Sequence, residues 1–179
     1  MPIAPQMPIP MPDAYAPAEV AERVRDVGVK KATAPVPTLF ALAVLAGAFI
    51  ALGALFYTVT VTTGPGQSSP LGLTRLAGGV AFSLGLILVV VGGAELFTGN
   101  NLMAMAWAAG RITGRQVFRN WAVVYAGNLI GAVGTAVLVW VAGIQTFGDG
   151  AVGETMIRIA RGKAALDPVS ALARGILCN

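Results

Sequence analysis

The sequence predicts an all-α integral membrane protein, on three observations. Of 179 residues, 56% are hydrophobic and only 11% charged, whereas a soluble domain averages about 25% charged. Apolar runs at residues 39–61, 71–91 and 121–144 each reach the roughly 20 residues that a helix needs to cross hydrocarbon. The second run leads into Gly92-Gly93-Ala94-Glu95-Leu96-Phe97-Thr98-Gly99-Asn100. That stretch carries an acid, a hydroxyl, an amide and three glycines within apolar surroundings.

From the N-terminus, residues 1–17 are rich in Pro and Met and read as a disordered leader. They lack a basic start followed by an apolar core, so they form no secretory signal. Residues 18–34 read as an amphipathic cytoplasmic helix. Val20, Val24 and Val27 share one face, with Glu19, Glu22, Arg23 and Asp26 around it. Such a helix lies on the membrane surface or packs under the bundle; a solvated leader helix is an equal alternative. Residues 35–179 form the transmembrane domain. Pro35 and Pro37 separate it from the preceding helix, and the first span covers 39–61. Residues 62–70, with Gly64, Pro65, Gly66 and Pro70, form a turn.

The second span covers 71–109 and is broken near 96–101. Residues 102–109 are too short to cross alone, so they are a half-helix or a continuation. Residues 110–120 form a basic loop with Arg111, Arg115 and Arg119. The third span covers 121–144, and polar residues 145–168 form the second outer connection. A fourth apolar segment starts at 169–179 and stops before crossing. Lys30, Lys31 and the three arginines lie on one side, while the first connecting loop holds only Arg75. The N-terminus is therefore expected in the cytoplasm. Arg158, Arg161 and Lys163 in the third connection weaken this asymmetry without reversing it.

Gly127 and Gly131 are spaced G-x-x-x-G, and Ala43, Gly47 and Ala51 repeat every four residues. These positions read as close helix packing and say little about substrate. Trp121 and Trp140 are expected near opposite interfaces. The single cysteine, Cys178, excludes an internal disulfide and reads as packing. The chain has no histidine, which removes the commonest metal ligand and the usual haem ligand. No cofactor, metal or nucleic-acid partner is expected.

The broken region asks for a reason. A carboxylate at the bilayer centre costs about 2.5–3.5 kcal/mol on insertion scales. Unpaired backbone in hydrocarbon costs several kcal/mol per group. Interrupted helices are tolerated where the freed backbone lines a polar cavity or is buried in protein, so residues 92–100 read as a conduction or binding site.

Several motifs carry a resemblance: Gly85-Leu86-Ile87-Leu88, residues 92–100, Gly110-Arg111-Ile112-Thr113, Asn120-Trp121, Gly127-Asn128-Leu129-Ile130-Gly131 and residues 174–179. In these the chain resembles the formate/nitrite transporter family, from about Val27 to its last residue and most specifically over 78–131. The resemblance implies an aquaporin-like bundle of six spans built as an inverted repeat, with one broken helix in each half. It also implies a homopentamer in a bacterial inner membrane, each protomer with its own pore. The substrates it implies are small monovalent anions such as formate, nitrite or hydrosulfide, often moved with a proton. Carried over residue by residue, Phe82 falls at an outer constriction, and Leu86, Leu96 and Phe97 narrow the pore further in. Thr98 supplies the hydroxyl that faces a central histidine of the second half. Lys163 matches a vestibule lysine. Lys31 and Asn179 match polar positions, at the first helix entry and in the fourth helix, and Glu95 an acidic one at the break; Asn100, in the same run, is a further polar candidate for the substrate path.

Physical chemistry gives each a task. A bare charge in an apolar slot costs many kcal/mol, so Phe82, Leu86 and Phe97 would form a gate favouring the neutral acid. Thr98 offers one donor and two lone pairs, suited to either protonation state; a simple helix cap is its plainer role. Lys163 would raise local anion concentration, and helix ends at the break offer N–H groups to an anion. Glu95 reads as a structural carboxylate that caps the broken helix and pairs with a lysine. That role stands ahead of ligand contact, because a carboxylate in the path repels anions.

The chain stops inside the fourth span, before the second repeat and its histidine. It is expected to be a fragment of a longer protein or a truncated product, and a truncated product is expected not to transport. Other readings are weaker. A membrane-anchor subunit of a redox complex would hold haem through histidines. A neutral-solute channel of aquaporin type would carry Asn-Pro-Ala motifs, whereas Asn100 and Asn128 are followed by Asn and Leu. Catalysis has little support, since Glu95 is the sole acid within any span.

Overall fold

The computed structural model of the chain describes residues 15–64, 66 and 69–178. Among them, three helices are long and apolar enough to span a bilayer: α2 (Val36–Val61), α3 (Leu71–Val91) and α6 (Gly114–Val141). Ahead of them lies α1 (Pro17–Thr33). Between α3 and α6 come two short helices, α4 (Phe97–Asn100) and α5 (Met103–Ala108). After α6 follow a 3-10 turn (Ile144–Thr146), α7 (Ala151–Ala164) and α8 (Pro168–Cys178). Residues 1–14, within the segment read as a disordered leader, lie outside the described residues, as do Asn179 and the side chain of Cys178.

Helix α2 packs against both α3 and α6, and missing side chains bring the backbones together. A Cβ on Gly131 would stand 2.0 Å from the Val44 carbonyl oxygen, and one on Gly47 2.1 Å from the Asn128 oxygen. On the opposite flank, a Cβ on Gly85 would lie 2.8 Å from the Phe49 oxygen and one on Gly53 2.9 Å from the Phe82 oxygen. Close backbone approach is how small residues join helices in hydrocarbon, where burial of apolar surface gives no advantage over lipid. The outward faces of α3 and α6 stay apolar and open, with Val91 81% and Leu138 69% exposed.

Helix α1 packs under the bundle against α5, but not by its valines. The buried face is Gly28 and Ala32, set against Met103 and Ala106. Val20, Val24 and Val27 instead line an open groove with Leu102 and Met103. A charged cluster fastens α1 to the turn after α5: Arg111 binds Asp26 at 2.7 Å and pairs with Glu22. Its bond to Glu22, helped by Asp26, holds the Arg111 guanidinium above its ordinary range.

Three boundaries differ from expectation. Helix α6 starts at Gly114, inside the stretch read as a basic loop. Thr113 and Gln116 form a reciprocal capping box there, with the Thr113 N–H donating to Gln116 Oε1 at 2.8 Å. The polar connection 145–168 contains a helix, α7, whose Val152 and Thr155 are buried. The break also begins earlier than 96, and the chain turns again at 101–102 after the four-residue α4. Helix α3 stops at Val91, and Gly93 turns the chain at φ 59°, a left-handed conformation natural to glycine. The chain then runs non-helically to Leu96.

Candidate functional site

The break is stitched into the bundle by side-chain amides. Asn128, on α6, reaches both its edges. Its Nδ2 donates to the Glu95 carbonyl at 2.9 Å and to the Ala43 carbonyl of α2 at 2.8 Å, and its Oδ1 accepts from the Phe97 N–H at 2.9 Å. The Glu95 N–H donates to the Leu42 carbonyl at 3.1 Å, and the Ala94 N–H to Val89 at 2.9 Å. The Ala94, Glu95 and Phe97 amides are thus engaged within the protein. Thr98 and Gly99, at the start of α4, are exposed.

A second network sits where α1, the break and α6 meet. The Lys31 ammonium donates to Glu95 Oε2 at 2.6 Å and to Asn100 Oδ1 at 2.8 Å. Asn100 Nδ2 donates to the same Glu95 oxygen at 2.8 Å and to Asn120 Oδ1 at 2.7 Å. Asn120 Nδ2 closes the ring on the Lys31 carbonyl at 3.1 Å, and the Trp121 indole N–H donates to the Asn100 carbonyl at 3.0 Å. Asn100 and Asn120 are completely buried, and a buried amide is tolerated only with its donors and acceptors matched. Glu95 therefore pairs with a lysine but caps no helix. Trp121 is half buried at the edge of this network.

Other candidates divide among separate places. Phe97 is half buried and packs edge-on against Trp121 and Tyr125, at ring separations of 6.1 and 5.6 Å. Leu96 is half buried beside it. Thr98 is exposed and is no cap, because Leu96 holds the N-cap position of α4. Leu86 lies in a shallow apolar groove on the open face of α3, with Ile87 and Val90. Phe82, one turn away on the same helix, lines a different cavity of about 550 Å³. Lys163, on α7, lines that cavity as well. Asn179 lies outside the described residues.

Asn120 and Asn128 form the part of the site that sequence reasoning missed. A usable signal was present: two amides eight residues apart, with Val124 midway, on one stripe of an apolar helix. Arg75, Arg158 and Arg174, which line the Phe82 cavity, were also not assigned to a site.

Comparison with known proteins is decisive for the family. The formate/nitrite transporter family model matches residues 18–179. The chain belongs to the formate/nitrite transporter family. It is 42% identical over 167 residues to the formate channel FocA of Escherichia coli K12, covering 93% of this chain and 58% of that protein. FocA of Haemophilus influenzae is 40% identical over 166 residues, with 93% and 58% covered. Among solved structures, a pentameric formate channel with formate bound superposes with a TM-score of 0.71 at 41% identity, covering 80% of this chain and 55% of that one. The chain thus spans a little over half the length of these formate/nitrite transporter relatives. It is a membrane protein, all-helical and with three apolar spans among the described residues.

Proposed function

We propose that this chain supplies one half of a channel for small monovalent weak-acid anions, formate or nitrite, working as a homopentamer in a bacterial inner membrane with its N-terminus cytoplasmic. The carrying observation is the 41% identity and 0.71 TM-score to a pentameric formate channel, over 80% of this chain. The proposed bundle is aquaporin-like, with the described helices as its first inverted repeat. Thr98, exposed at the break, meets the permeant acid with its hydroxyl. Leu96 and Phe97, the latter braced by Trp121 and Tyr125, form an apolar constriction beside it. Leu86 and Phe82 extend that constriction along α3, and Lys163 draws anions to the mouth. Lys31, Glu95 and Asn100 hold the break open instead of contacting substrate, because their polar atoms already bind one another. Asn179 is a polar contribution from the fourth helix.

The test is formate uptake by proteoliposomes. This chain alone should give no flux, whereas its fusion to the second half of Escherichia coli FocA should give channel-rate flux. In the fusion, Thr98→Val keeps shape and removes the hydroxyl. A hydrogen bond to a charged partner contributes about 1.5–3 kcal/mol, so flux should fall roughly tenfold or more. Unchanged flux in Thr98→Val would remove the hydroxyl from the path, and a fusion that inserts but carries no formate would refute the transport reading.

A further inference from the structure

The end of the bundle carrying the α2–α3 connection holds a concentration of positive charge that the constriction does not explain. The 550 Å³ cavity beside Phe82 is lined by Arg75 from α3, Arg158 and Lys163 from α7, and Arg174 from α8. A neighbouring cavity of about 350 Å³ shares Tyr57, Arg75 and Arg158 with it. Neither lining contains a carboxylate, and none of the four cations joins an ion pair among the described residues. Two guanidiniums are oriented by neutral partners. Arg75 Nη1 donates to the Tyr57 hydroxyl at 2.7 Å, and Arg158 Nη2 to the Thr155 hydroxyl at 3.2 Å. Each guanidinium has five donors, so most of each fork stays available.

A permeant monoanion uses this arrangement poorly, since it neutralises one cation and leaves the others repelling one another. An oxyanion with two charges engages two forks at once, through the bidentate geometry that carboxylates and phosphates share. Its Coulomb attraction to the cluster is about twice that of a monoanion at equal distance. It cannot proceed past Phe82, because the cost of taking an ion into an apolar slot grows as the square of its charge. We propose that the basic cavity is a binding site for a divalent oxyanion, a short dicarboxylate or hydrogen phosphate, held at the mouth without being passed and so competing with monoanion entry. Competition rests on the transport reading above; binding does not.

The binding experiment uses the 179-residue chain in lipid nanodiscs, titrated calorimetrically with succinate, inorganic phosphate and formate at neutral pH and fixed ionic strength. Succinate, phosphate or both should bind about tenfold tighter than formate, as one added charge-assisted bond implies. The arm that binds identifies carboxylate or phosphate as the recognised group. Arg75→Ala and Arg158→Ala should each lower that affinity about tenfold. Arg75→Lys keeps the charge without the fork and should fall between, which covers an alanine variant that does not fold. Arg25→Ala, on α1 beside Glu22, should leave binding unchanged. Equal affinity for formate and both dianions, or dianion binding that ignores Arg75 and Arg158, would overturn the site. In the fusion protein, external dianion should reduce formate uptake. Uptake unaffected at saturating dianion would overturn the competition and leave transport standing, whereas dianion binding to a protein with no formate flux would sink the transport reading alone.

Discussion

Replacing Asn128 by leucine tests whether the break is held by α6. The asparagine satisfies the Glu95 carbonyl and the Phe97 N–H at 2.9 Å each, besides the Ala43 carbonyl at 2.8 Å. Ala43 belongs to a helix and keeps its place in the α2 ladder. Glu95 and Phe97 flank the non-helical turn and have no such reserve. Leucine fills comparable space, keeps water out and leaves two backbone groups without partners. Each costs about 1–3 kcal/mol, so the loss is about 2–6 kcal/mol. In a chain of this size, 1 kcal/mol corresponds to about 2–4 °C of melting temperature, which places the drop at roughly 4–24 °C. Thermal unfolding in detergent gives the total, and hydrogen exchange at the Phe97 amide gives its location. Asn128→Asp keeps the acceptor for Phe97 but turns a carboxylate toward two carbonyl oxygens, so it should melt no higher than the leucine variant. Should Asn128→Leu melt within about 2 °C of the parent with the Phe97 amide still protected, the break is not held by this residue and the stitching argument fails.

Gly131→Ala would place a methyl 2.0 Å from the Val44 carbonyl, so α2 and α6 must separate. Overpacking costs about 1–3 kcal/mol, whereas Gly134→Ala, inside α6 with no atom within 4 Å of its Cβ, should be neutral or stabilising by up to about 1 kcal/mol; melting of the two variants side by side checks this. The start of α8 is held by Asp167, whose Oδ1 accepts from the Val169 and Ser170 amides at 3.1 and 3.0 Å. Bonds from Ser170, with help from Val169, lower the Asp167 carboxyl below its ordinary range. A depressed folded-state value means that this cap is intact above the ordinary carboxylate range and is lost as acid takes the solution down through the lowered value. Protection of the Ser170 amide should therefore fade only in strong acid, and Asp167→Ala should show reduced protection at every pH.

The spans were legible because nothing but a helix satisfies backbone in hydrocarbon. The apolar run 71–91 coincides with α3, which Pro70 and Gly92 punctuate, although the break was expected further on, near 96–101. The start of α6 was hidden by Arg115 and Arg119, which read as loop charges. Thr113-x-x-Gln116 marks the helix start and was overlooked. The α7 helix was legible but overlooked: Val152, Met156 and Ile159 recur at helical spacing within the stretch read as a connection. At the break, Glu95 identified itself as an acid needing a cation, and the cation was correctly expected to be a lysine. Its partner Lys31, however, lies 64 residues away, and no local pattern joins such positions. Asn100 and Asn120 acquire their meaning only when α1, α4 and α6 converge, for the same reason. The four cations near Phe82 come from three helices, so the sequence displays them as scattered charges.

The tie between Asn128 and residues 95–97 also bears on how the protein is made. During synthesis, α3 and the turn after it are made, and emerge, ahead of α6. As the turn emerges, the α2 carbonyl of Leu42 can receive the Glu95 amide, but Asn120 and Asn128 follow it out of the ribosome. A nascent α3 released alone into the bilayer would carry exposed peptide groups and an acid with it. Until α6 docks, the turn lacks the partners that Asn128 supplies, so a pause between the two segments would prolong the protein's most vulnerable state.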